Sequence, residues 1–174
     1  EPGKRVLQRV FMAAQDRTFE GRIAFLEDYE LHLAQRMVAG VDLWLNLPRV
    51  PLEASGTSGM KAALNGVPQL GTLDGWWAEG FTGENGWAIP LPESEGDPEQ
   101  HDMDHLFEIL EKQVIPRYYD RLPGKHSPDW VHMMKGAIAV AVERFTTRQM
   151  LQGYVTRYYV PAAAGEAIPG EPPA

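Results

Sequence analysis

No cysteine occurs among the 174 residues, which excludes disulfide bridges and thiolate metal sites. Positive charge is scarce too. Sixteen Lys and Arg stand against 24 Asp and Glu, and the formal net charge of −8 argues against binding nucleic acid or an anionic membrane. No apolar run approaches the ~20 residues that a membrane-spanning helix needs, and no secretory signal is visible, so a cytoplasmic protein with no membrane partner is expected. There is no internal repeat. The chain opens on Glu1 rather than Met, and a segment of a longer protein is the expectation. At 44% hydrophobic it can bury one core and make one domain.

What is present is a regular alternation of elements. Lys4 to Ala14 has apolar residues at 6, 7, 10, 11 and 14, the spacing of an amphipathic helix. Arg22 to Glu27 reads as a buried strand, Tyr29 to Val38 as a helix ended by Gly40, and Val41 to Leu47 as the next strand. Ala62, Ala63 and Leu64 favour a helix over Gly56 to Asn65, with Asn65-Gly66 as its stop. Pro68 to Leu73 predicts another strand, followed by a turn at Asp74-Gly75. This order at this spacing implies an α/β fold, a parallel sheet with flanking helices. Ligands in such sheets bind beyond the carboxyl ends of the strands, where residues 48 to 57 fall.

The second half predicts helices over Asp102 to Tyr119, Pro128 to Phe145 and Thr147 to Tyr159, with an acidic surface loop at residues 91 to 100. Residues 1–160 are expected to fold. Residues 161–174, with four prolines and little to bury, are expected to be disordered. Tyr118, Tyr119, Tyr154, Tyr158 and Tyr159 could be taken for a sugar-stacking platform, but packing of helices against the sheet is preferred. His101 and His105 stand at i,i+4, as metal ligands can, yet acidic residues belong in a helix's first turn and no metal site is assigned.

Residues 53 to 65 carry the chemistry: Glu-Ala-Ser-Gly-Thr-Ser-Gly-Met-Lys-Ala-Ala-Leu-Asn. The first turn of a helix has amides without partners and a partial positive charge, so it binds anions. Ser55 and Thr57 are the candidate caps, Gly56 and Gly59 would let a phosphate approach the backbone, and Ser58 adds a hydroxyl donor. Lys61 lies four residues after Thr57 on the same face, which sets its amine roughly one turn, about 5 Å, from the anion. Pyridoxal phosphate could span that gap and form a Schiff base with Lys61. On these residues alone a second reading stays open, a capped helix with a solvent-exposed lysine.

The run Glu53 to Asn65 resembles the pyridoxal-phosphate attachment signature of the α-glucan phosphorylases, the glycogen, starch and maltodextrin phosphorylase family, at every constrained position. Phe25-Leu26-Glu27-Asp28-Tyr29 and Gly71-Thr72-Leu73-Asp74-Gly75 resemble the family's flanking segments, and the likeness is clear from about residue 22 to 90. Residues 76 to 89 are more similar to the shorter bacterial enzymes. The resemblance implies the C-terminal part of a Rossmann-like domain in a two-domain GT-B glycosyltransferase fold. It also implies a reaction: inorganic phosphate cleaves the terminal glucose of an α-1,4-glucan and releases α-glucose 1-phosphate with retained configuration. Lys61 would anchor the cofactor, the Thr57 and Ser58 amides would hold its phosphate, and Glu53, Ser55 and Gly56 would contact the glucose. The N-terminal domain of the same enzyme would be the missing partner, a homo-oligomer is compatible, and the chain by itself is expected to be inactive.

Two rivals differ in class. A nucleotide-sugar-dependent retaining glycosyltransferase of the glycogen synthase kind would have a second glutamate eight positions after Glu53, where Lys61 stands. A non-catalytic structural domain would have no reason to keep Glu53 together with a buried reactive lysine.

Overall fold

A computed structural model of the protein describes residues 2–19, 21–92, 96–121 and 123–166. They divide into two compact units, Glu1–Arg36 and Met37–Ala174. The first contains α1 (Pro2–Gln15) and a short 3₁₀ turn at Arg17–Phe19. Phe25 packs edge-on against Phe11 with ring centroids 5.5 Å apart. The strand expected over Arg22 to Glu27 is not formed. A strand needs a neighbour to satisfy its backbone groups, and the described residues of this unit supply none. The chain leaves the unit within α2 (Leu31–Gly40).

The second unit is built on three parallel strands, β1 (Trp44–Asn46), β2 (Gln69–Thr72) and β3 (Gly86–Ile89), in that spatial order. Leu45 faces Leu70, and Leu70 faces Trp87. The helix α3 (Thr57–Leu64) links the first two strands and α4 (Gly75–Gly80) the last two. The third strand was not predicted; its four residues, Gly-Trp-Ala-Ile, are too few to show a period. All four residues of β2 are buried, as a central strand covered on both faces requires.

Side chains alternate along β2 and so serve two cores. Leu70 joins Trp87 and Ile89 in a cluster with Ile109, Trp130 and Met133. Gln69 points the other way, accepting a 3.2 Å hydrogen bond from Trp76 Nε1. On that side Ala63, Trp76 and Trp77 pack with Ala137 and Ala141. The helix α7 (Pro128–Arg144) supports both clusters with one stripe, Trp130, Met133, Ala137 and Ala141.

The helix before α7 begins earlier than predicted, because Asp97 caps it and Pro98 opens it: α5 spans Pro98–Ile109. Residues 98 to 100, expected in the acidic loop, are therefore helical, and 93 to 95 lie outside the described residues. The chain continues through a π-helical turn, Leu110–Val114, into α6 (Ile115–Tyr119). The same sequence of states recurs from α8 (Thr147–Tyr154) through Val155–Tyr159 to α9 (Val160–Ala164). In both, proline sits two positions past the π turn, Pro116 and Pro161. Proline has no N–H to give and its ring collides with the carbonyl four residues back, so the helix widens just before it. The expected tail thus starts helical, and its residues 167 to 174 lie outside the described ones. Among the described residues no helix is long and apolar enough to cross a membrane.

Two glycines should respond oppositely to alanine. A Cβ on Gly136 of α7 would stand 2.2 Å from the Glu84 carbonyl oxygen, whereas one on Gly153 of α8 meets nothing within 4 Å. Gly136→Ala should lose about 1–3 kcal/mol and Gly153→Ala should gain about 0.5–1 kcal/mol. Midpoints of denaturant unfolding at constant slope measure both, and equal shifts would contradict the packing described.

Candidate functional site

The parallel sheet sends the ends of β1, β2 and β3 in one direction, and the chain leaving β1 crosses that end before α3 begins. Leu52 N–H closes a turn onto the Arg49 carbonyl at 2.8 Å. Three hydrogen bonds then tie this loop to the chain leaving β2. Thr72 Oγ1 donates to the Pro48 carbonyl at 2.9 Å. The N–H of Glu53 donates to Asp74 Oδ2 at 2.8 Å. The N–H of Trp76 donates to the Ser55 carbonyl at 2.7 Å. Asp74 uses its other oxygen as well: Oδ1 accepts from Gly75 N–H at 2.9 Å, and the residue is the N-cap of α4.

The loop ends in a left-handed residue. Gly56 has φ 80° and ψ 43°, and it, rather than Ser55 or Thr57, is the N-cap of α3. Ser55 contributes its carbonyl instead, and Thr57 is already the first helical residue. Glycine has no side chain to turn back on the helix, so the amides of Thr57 and Ser58 have no side-chain acceptor among the described residues and stand open to a ligand. Glu53 lies against two glycines. A Cβ on Gly75, at φ +51°, would come within 2.9 Å of its Cγ, and one on Gly56 within 3.7 Å of its Cδ. The Glu53 side chain is half-buried, and its carboxylate accepts no hydrogen bond among the described residues.

The helix α3 has two distinct faces. Gly59, Ala62 and Ala63 are buried, while Thr57, Lys61 and Leu64 are exposed. Gly59 is therefore not a point of phosphate approach. A Cβ there would lie 2.2 Å from Gln69 Oε1 and 2.6 Å from Trp76 Nε1, so glycine is needed to seat α3 on that hydrogen-bonded pair. Lys61 is exposed rather than buried, and its ammonium has no hydrogen-bond or ion-pair partner among the described residues.

Glu53, Ser55, Gly56, Thr57 and Ser58 are thus gathered at one turn, with Lys61 one helical turn beyond. None of them lines the adjoining cleft of about 870 Å³ at the strand ends, which is walled by Pro48, Val50, Thr72, Ile89 and Leu106. Arg49, beside that cleft, is ion-paired with Glu99. His101 and His105 stack on each other at 4.1 Å. Of the tyrosines, Tyr118 packs edge-on against Trp130 at 4.9 Å, in agreement with helix packing. Tyr119, Tyr154, Tyr158 and Tyr159 stay exposed.

Asp74 was read in the sequence only as part of a turn. An aspartate before Gly-Trp-Trp does signal an N-cap. Its second bond, to a residue 21 positions earlier, depends on how two loops meet and leaves no local trace.

Residues 10–79 match the carbohydrate phosphorylase family. The chain is 51% identical over 157 residues to a glycogen phosphorylase of Aquifex aeolicus, covering 90% of this chain and 23% of that protein. It is 45% identical over 171 residues to a maltodextrin phosphorylase of Thermococcus litoralis, covering 97% of this chain and 20% of that protein. To a glycogen phosphorylase of Mycobacterium tuberculosis it is 39% identical over 164 residues, 92% of this chain and 19% of that protein. The chain spans about a fifth of the length of these relatives.

Proposed function

We propose that this chain, which belongs to the carbohydrate phosphorylase family, is the cofactor-holding part of an α-glucan phosphorylase, within the C-terminal Rossmann-like domain of a GT-B fold. The whole enzyme would convert the terminal α-1,4-linked glucose of a glucan and inorganic phosphate into α-glucose 1-phosphate, reversibly. One observation carries the reading. The left-handed Gly56 leaves the first amides of α3 without a side-chain cap, and a lysine with no partner among the described residues stands one turn away on the same exposed face as Thr57.

These residues fit pyridoxal phosphate. Anion-binding amides and a primary amine about one turn apart match its phosphate and its aldehyde. When bound, the cofactor supplies a phosphate that exchanges a proton with the substrate phosphate. The amides of Thr57 and Ser58 would hold that group and Lys61 would anchor the cofactor through its amine, which would leave Lys61 no proton-transfer duty. Glu53, whose carboxylate accepts no hydrogen bond among the described residues, orients the glucose by accepting from sugar hydroxyls, and Ser55 and Gly56 line the same turn. The glucan and the substrate phosphate are bound with groups from the rest of the enzyme. Arg49, which borders the cleft at the strand ends, is already paired with Glu99, and stabilising a transferring phosphate requires positioned cations.

Three outcomes follow from this assignment. Borohydride reduction of the intact holoenzyme should leave a cofactor adduct on the peptide containing Lys61, absent in Lys61→Ala; an adduct on Lys112 or Lys135 would sink the assignment. Glu53→Gln removes a charged acceptor, so kcat/KM should fall about tenfold or more with cofactor content unchanged, whereas full efficiency would reduce Glu53 to a structural role. The chain alone, with or without added pyridoxal phosphate, should release no glucose 1-phosphate from a glucan, and turnover would show that the cations needed are already here.

A further inference from the structure

The carboxylate of Asp74 reaches two backbone amides that belong to different parts of the site. Oδ1 holds Gly75 at the start of α4, and Oδ2 holds Glu53, 21 residues earlier, at 2.8 Å. The Glu53 side chain then runs over the bare Cα of Gly75, where a Cβ would stand 2.9 Å from its Cγ. The following residue, Trp76, holds Ser55 through the 2.7 Å bond to its carbonyl. Backbone and side chain of Glu53 are therefore referenced to one short turn, Asp74-Gly75-Trp76. The indole of Trp76 is itself locked to Gln69 of the central strand.

We infer that Asp74 is a positioning residue for the sugar site: it sets where the Glu53 carboxylate stands, and through it the orientation of the glucose. This rests on the reading of Glu53 as the sugar contact. A carboxylate is suited to the task because it presents two acceptor oxygens with no proton to interfere. Its hydrogen bonds to backbone N–H are charge-assisted and correspondingly strong. Neither Ser nor Asn can do both jobs. Serine caps a helix well but is too short to span to Glu53, and asparagine has one acceptor oxygen for two amides.

The test is a double-mutant cycle in the intact, cofactor-loaded enzyme, combining Asp74→Ser with Glu53→Gln. Asp74→Ser alone should lower kcat/KM about tenfold, chiefly through KM for glucose 1-phosphate, with cofactor content kept. In the Glu53→Gln background the same change should cost less than about twofold, because the group it positions is already altered. Hydrogen exchange of the peptide carrying the Glu53 amide should be faster in Asp74→Ser than in the wild type. Asp74→Asn gives the same cycle where the serine variant folds poorly. Equal losses in both backgrounds, or wild-type exchange at Glu53, would overturn the role of Asp74. Failure of the underlying reading shows separately, as full activity of Glu53→Gln by itself.

Discussion

The hydrogen bond between Asp74 and the Glu53 amide, with its two neighbours, is the constraint on which the site depends. A loop of ten residues between β1 and α3 would otherwise have many conformations, and fixing each residue costs roughly 1–2 kcal/mol of entropy. Tying the loop at Pro48, Glu53 and Ser55 spaces the anchors so that no long stretch between them is free. The last anchor lies just before Gly56, whose left-handed turn starts α3 without a side-chain cap. The Ser55–Trp76 bond beside Gly56 therefore holds the start of α3, while the Asp74–Glu53 bond holds the carboxylate side of the loop.

Beneath that turn the packing is close and unforgiving. Gly59 sits against the Trp76–Gln69 pair, and Ala62 and Ala63 face the core with no bulk to spare. Small residues on one side of α3 let it lie low on the sheet, which turns the opposite side, with Thr57 and Lys61, outward. The alternation of Gly, Ala and Ser in the motif therefore has a packing cause as well as a chemical one. Trp76 takes part twice, through its indole in the core and through its amide at Ser55.

Much of this was legible where the signal was local. The helices α1 and α7 follow their apolar spacing, α3 follows its helix-favouring Ala-Ala-Leu run and Asn-Gly stop, and the parallel relation of β1 and β2 follows from the helix between them. What was not legible involves partners far away in the sequence. Arg22 to Glu27 has the composition of a strand but no strand to pair with among the described residues of its unit. Gly59 looks like a phosphate-loop glycine, and only the indole behind it reveals a packing role. Ser55 and Thr57 have capping side chains, yet the turn places Gly56 at the cap and spends the Ser55 carbonyl on Trp76. The π turns before Pro116 and Pro161 could have been anticipated, since proline within an apolar helical pattern must disturb it.

On the proposed function, the first turn of α3 and Lys61 together hold a phosphate-bearing cofactor. A crystal structure of the intact enzyme loaded with pyridoxal phosphate tests it most directly. Cofactor phosphate oxygens should lie about 3 Å from the amides of Thr57 and Ser58, with Lys61 Nζ bonded to the cofactor's aldehyde carbon. A cofactor phosphate held by other elements, with the start of α3 facing solvent, would contradict it.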